Sequence, residues 1–139
     1  MDRPPSSGPF LTTAVLCERV LEEKDGALSI IRVIDRVVAQ LVPEAPPPVF
    51  NCKVVITLRS GTAQGRSTVN VRRQKPSGQL DEPLTVQVLF EGQERGTNVV
   101  FDLNMAAEEE GLYWFEVLLD GELMTKIPLR VIYNPIPRT

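Results

Sequence analysis

The chain has 139 residues, a net charge of −3 and an isoelectric point near 5.0, with 42% hydrophobic and 24% charged residues. These are the proportions of one ordinary globular domain, large enough to bury a real core. Histidine is absent, which excludes Ser-His-Asp and Cys-His nucleophile systems and every zinc site that uses imidazole.

Residues 1–9 carry three prolines and read as a flexible N-terminal arm. They lack the cationic start and apolar run of a secretory signal, and no stretch approaches the roughly 18 apolar residues of a membrane span. The expectation is a cytoplasmic protein with no membrane contact. A single β-sandwich domain is expected over 10–133, with 134–139 as a C-terminal tail.

Phe10 to Leu21 reads as the first strand, with Val15 and Cys17 on one face and Ala14 and Leu16 on the other. An acidic turn ends at Gly26. Leu28 to Val33 returns as a second strand, continuing to about Leu41 because β-branched residues persist; Val33, Val37 and Leu41 also have helical spacing, the alternative for that half. Four prolines between Pro43 and Pro48 mark a crossover between sheets. Phe50 to Arg59 is a strand with Cys52, Val54, Ile56 and Leu58 on one face. Arg66 to Lys75 follows with Val69 and Val71 inward, then the rows Leu84, Val86, Val88, Phe90 and Val99, Phe101, Leu103, Met105. Ala106 to Glu110 has room for one helical turn. About eight strands at this spacing predict an all-β fold, two antiparallel sheets packed as a sandwich.

The last two strands carry the strongest pattern. Tyr113, Phe115, Val117 and Leu119 alternate with Leu112, Trp114, Glu116 and Leu118, Asp120-Gly121 signals a hairpin, and Leu123, Thr125, Ile127, Leu129 and Val131 form the returning row. A plain two-residue loop would put the two apolar rows on opposite faces. Burial therefore predicts a three-residue loop, Leu119-Asp120-Gly121, with a bulge at Gly121, pairing Val117 with Leu123 and Tyr113 with Ile127.

The spacing Glu109, Gly111, Tyr113, Phe115 resembles the turn into strand F of immunoglobulin-like sandwiches, where a corner tyrosine precedes a core cysteine by two residues. The resemblance implies that the Tyr113 hydroxyl bonds nearby backbone; a plain core tyrosine is the other reading. Phe115 stands at the cysteine position, so the antibody-type disulfide is missing there. A second resemblance covers most of the chain. The run Ala14 to Val20, the turn ending at Gly26, Leu28 to Ile31, the proline-rich crossover and the closing hairpin are similar to an uncharacterised family of small bacterial β-sandwich proteins, which implies no activity.

Chemistry-bearing motifs are scarce. There is no Walker loop and no Gly-x-Gly-x-x-Gly, and Cys17 and Cys52, in apolar runs, read as free buried thiols. The glutamates at 108–110, with Asp81 and Glu82, are a thin candidate for calcium, and paired carboxylates a thin one for glycoside hydrolysis. The expectation is no enzyme, no cofactor and no metal. Charge is uneven: residues 45–80 hold six cations and no carboxylate, whereas 81–122 hold eleven carboxylates and one arginine. Either the two blocks pair within the molecule, or they form a bipolar surface that docks a partner. No aromatic occurs in 51–80, and with the acidic isoelectric point this speaks against nucleic acid.

Trp114 points away from Tyr113 and Phe115. Its face is either covered by the crossover or the arm, or is an apolar patch of the kind that marks an interface. The functional expectation is a protein-interaction or assembly module, binding a protein partner or itself through Trp114, Leu112 and Met124 with Arg72 and Arg73 of the basic hairpin. The alternative is a small-ligand or carbohydrate-binding sandwich in which Trp114 and Tyr113 stack on a sugar.

Overall fold

The computed structural model describes residues 7–136. Nine strands form among them: β1 (Phe10–Glu22), β2 (Leu28–Val33), β3 (Arg36–Leu41), β4 (Val49–Arg59), β5 (Gln64–Gln74), β6 (Leu84–Glu91), β7 (Gly96–Ala106), β8 (Gly111–Leu119) and β9 (Glu122–Pro135). They make two sheets, ordered β2-β1-β4-β7 and β3-β9-β8-β5-β6. The inward rows of both sheets meet in one core, with Leu16, Val54 and Ile56 from one side and Tyr113, Phe115 and Leu129 from the other among its fully enclosed side chains. Each such side chain, taken from water, stabilises the fold by about 1.5–3 kcal/mol before chain entropy is counted.

The stretch from Leu28 to Leu41 is neither one strand nor part helix. Arg32 adopts a φ of 60°, a conformation that interrupts a strand, and the chain leaves β2 for the other sheet. There β3 pairs with β9 in parallel, Val37 beside Val131, so that sheet is mixed rather than wholly antiparallel. Val33 and Val37 have helical spacing but belong to separate strands in separate sheets: Val37 on β3 packs against the core while Val33, at the end of β2, is 62% exposed. The proline-rich segment then carries the chain back across the sandwich to β4.

The closing hairpin differs from its expected register. Asp120 and Gly121 both have positive φ, 48° and 82°, the signature of a two-residue type I′ turn. Leu119 lies opposite Glu122 and Leu118 opposite Leu123, after which the register shifts so that Val117 faces Thr125, Phe115 faces Ile127 and Tyr113 faces Leu129. Met124 is the extra residue of a bulge. The requirement that both apolar rows share a face is met, but by a residue inserted in β9 rather than in the loop. Asp120 fastens the tip to β5, accepting the Thr68 N–H at 2.8 Å and donating its own N–H to the Thr68 carbonyl at 2.8 Å.

The arm is not loose throughout. Residues 1–6 lie outside the described residues, but Ser7 accepts a 2.8 Å hydrogen bond from the Thr62 hydroxyl. Gly8 passes so close to the Ser60 carbonyl that a Cβ there would stand 2.5 Å from its oxygen.

Candidate functional site

Tyr113 sets the end of the sandwich from which β8 departs. It is fully buried, its hydroxyl donates to the Glu109 carbonyl at 2.9 Å, and it accepts the Glu109 N–H at 3.0 Å. This is the corner that the Glu109-x-Gly111-x-Tyr113 spacing implies. Tyr133 holds the same loop, donating to the Ala107 carbonyl at 2.8 Å. Burial raises the pKa of both phenols. The loop has no helical turn. Its glutamates go separate ways: Glu108 to Lys75 at 2.7 Å, Glu109 to the Ser77 N–H at 3.0 Å, Glu110 to the Tyr133 N–H at 2.7 Å. No group of three or more metal-ligating side chains gathers among the described residues.

The unequal charge blocks pair within the molecule. Lys53 binds Asp102, Arg72 binds Glu116 at 2.7 Å, Arg73 binds Asp81, and Lys75 lies between Glu108 and Asp81. Four of the six cations of the basic block are thereby matched to carboxylates of the acidic one: β5 beside β8 and β4 beside β7 bring together Arg72–Glu116 and Lys53–Asp102, and the loops holding Asp81 and Glu108 meet the end of β5.

Trp114 lies on the outer face of β8, the central strand of the five-stranded sheet. Pro128 and Gln74 are its lateral neighbours, and Leu112 and Glu116 precede and follow it on the same face. Next to it runs the row Lys126, Glu116, Arg72, in which Glu116 takes the Arg72 fork at 2.7 and 2.8 Å and Lys126 at 3.7 Å. On the other side lies the row Leu112, Arg130, Arg36. Four cations thus surround an indole that is itself half-buried, Arg72 and Lys126 sharing Glu116 and Arg36 paired with Asp35 at 3.6 Å. Of the crossover, Pro43, Ala45 and Pro47 border a cavity with Tyr133 and Pro135 at the end of β9.

Of the five residues singled out from sequence, Trp114, Leu112 and Arg72 share this face. Arg73 does not: adjacent residues on a strand point oppositely, and its guanidinium lies inward, 5.7 Å from the Tyr113 ring centroid and bound to Asp81. Met124, displaced by the bulge, packs against the core and shares a small cavity with Leu119, Gly8 and Pro9. Arg36, Lys126 and Arg130 escaped sequence reasoning. Alternation along β9 groups Lys126 with Arg130, and the expected register already sets Lys126 opposite Trp114; the bulge moves it opposite Glu116 and brings Pro128 to the indole, whereas Arg36 needs the parallel pairing. Tyr113, buried, has no face to offer a sugar.

The two thiols are free and lie on opposite faces of the four-stranded sheet, Cys52 in the core and Cys17 outward beside Lys53 and Val33. Burial pushes Cys52 up to about 11 and also raises Cys17.

The B–E and C–F–G pairings of an immunoglobulin sandwich correspond to β4–β7 and β5–β8–β9, and with the tyrosine corner they make this an immunoglobulin-like β-sandwich. Cys52 sits on the B-like strand and Phe115 on the F-like strand. The profile of the family of unknown function DUF6941 matches residues 12–132, and the chain belongs to that family. No curated protein matches the sequence. Among solved structures, an immunoglobulin-like protein from Pseudomonas aeruginosa is similar at 12% identity and TM-score 0.44, covering 92% of this chain and 99% of that one. A CARDB domain from Pyrococcus furiosus, in complex with di-metal ions, is similar at 14% identity and TM-score 0.48, covering 92% and 97%. A β-glucosidase from Listeria innocua is similar at 15% identity and TM-score 0.48 over 70% of this chain, which spans only 15% of the enzyme's length.

Proposed function

We propose that the domain is a non-enzymatic protein-interaction module that binds a protein partner, or a second copy of itself, through the outer face around Trp114. The observation that supports this reading is the setting of that tryptophan: half-buried, on the outer face of the sheet, between two rows that carry Arg72, Lys126, Arg130 and Arg36. Tryptophan and arginine dominate the energetics of protein interfaces, and a centre of this kind inside a charged rim is their usual arrangement. The Arg72–Glu116 pair holds the surface rigid before docking, which lowers the ordering cost of binding. The excess of cations favours an acidic patch on the partner and guides its approach.

The test compares wild type with Trp114→Ala in two measurements, mass in solution and affinity capture from a native extract. Loss of a hot-spot tryptophan weakens binding by about thirtyfold or more. If both the mass and every captured protein are unchanged, the reading fails.

A further inference from the structure

At one corner, between the β6 edge of one sheet and the β7 edge of the other, the sandwich stands open as a cleft of about 510 Å³. β6 begins only at Leu84, opposite Val71, while β5 runs on to Gln74, and there only a short bridge lines its edge, Leu80 beside Gln74 with the Asp81 N–H donating to the Arg73 carbonyl at 2.9 Å. The floor is Val71, Met105 and Phe115, all buried, and Leu84 and Leu103 wall it from the two sheets. The volume lies within the range of pockets that hold small organic ligands.

The mouth has a sign. Asp81, Glu82, Asp102 and Glu108 line it with a single guanidinium, that of Arg73. Arg73 is bound to Asp81, whereas Lys53 and Lys75 reach Asp102 and Glu108 from outside the lining. Glu82 is exposed and makes no ion pair or hydrogen bond among the described residues. An apolar floor under a mouth richer in carboxylates, one of them unmatched, selects for both shape and charge.

We propose that this cleft binds a small amphipathic cation, with its apolar body between Leu84 and Leu103 and its ammonium group at Glu82. Apolar burial supplies the affinity and the carboxylates reject fatty acids and other anions, whose charge would enter the same field unpaired. The site is independent of the Trp114 face, so either reading can fail without the other.

Amide NMR shifts under titration with n-octylammonium, n-octanol and n-octanoate at neutral pH test it. The ammonium compound is expected to give saturable shifts at Val71, Leu103 and Met105, weakening about fourfold for each methylene removed. Octanol should bind more weakly and octanoate weakest. Glu82→Lys, at an exposed position, should reduce octylammonium affinity at least about fivefold and leave octanol unchanged. Leu103→Trp, which fills the cleft, should abolish both. Equal binding of octanoate, shifts centred on Trp114, indifference to Glu82→Lys or no saturable shift would each overturn the proposal.

Discussion

The two sheets finish their outer faces differently. On the four-stranded sheet the central row is apolar, Val15, Val55 and Val100 standing side by side, and the next row, Val33, Cys17, Lys53, Asp102, ends in one ion pair. Val55 and Cys17 are fully buried although they face away from the core. On the five-stranded sheet the corresponding rows alternate cations, one carboxylate and a half-buried indole. A row of β-branched side chains closes over its own centre and leaves nothing for a partner to bond. A row with Arg72, Glu116 and Trp114 keeps directional groups at the surface. This difference, more than apolar area, makes the second face the better candidate for recognition.

The largest expected effect comes from placing a charge at the centre of each face in turn. Val55→Asp buries a carboxylate with no cation in its own row and should cost more than about 3 kcal/mol, enough to abolish folding in a marginal domain. Trp114→Asp sits at a half-buried position with Arg72, Lys126 and Arg130 on neighbouring rows, and should cost about 1 kcal/mol. Urea titration of the pair measures the contrast. Equal losses would mean that the two faces are closed alike.

A smaller effect belongs to Glu116. Its side chain is 11% exposed and that of Arg72 is 36% exposed, so the pair is sheltered on one side and screened on the other. Glu116→Ala is expected to lose about 1–2 kcal/mol, since it leaves the Arg72 guanidinium poorly matched. Adding Arg72→Ala should cost less than the two single changes suggest, and a double-mutant cycle reads that coupling directly. A coupling of zero would show that the pair does not order this face.

The sandwich was legible because alternation, prolines and turn residues are local signals. Val54, Ile56, Tyr113 and Phe115 were placed inward by spacing alone, and they lie in the core. The register of β9 was not legible to the residue, because parity demands a slip of one without saying where the extra residue goes, and Met124 was misplaced in consequence. Adjacency groups Arg72 and Arg73 as a basic pair, yet alternation sends them to opposite sides of the sheet. Arg36 reaches the Trp114 face only through the parallel pairing of β3 with β9, a long-range contact with no sequence signature. The cleft likewise depends on where β6 begins, a boundary that a run of apolar alternation locates only loosely.

The smallest predicted difference distinguishes the two sides of the four-stranded sheet by pH. Cys52, inside, is pushed from its ordinary 9.0 up to about 11 by burial, and Cys17, outside, is raised by burial but drawn back by Lys53 beside it. Between pH 9 and 11 the unfolded chain loses the Cys52 proton while the folded chain keeps it. The folded state then binds more protons, so stability falls as pH rises through that window and is unaffected below it. Tyr113, Tyr133 and Lys75 are also raised and act with the same sign, the lysine through its bond to Glu108, but the phenols start from 10.0 and the lysine from 10.5. The interval from pH 9 to 10 therefore belongs mainly to the thiols. Urea midpoints at pH 8, 9 and 10 should decline for wild type and decline less for Cys52→Ala, with Cys17→Ala showing the weaker relief. Identical slopes for all three would mean that the core side of this sheet is no drier than its outer face.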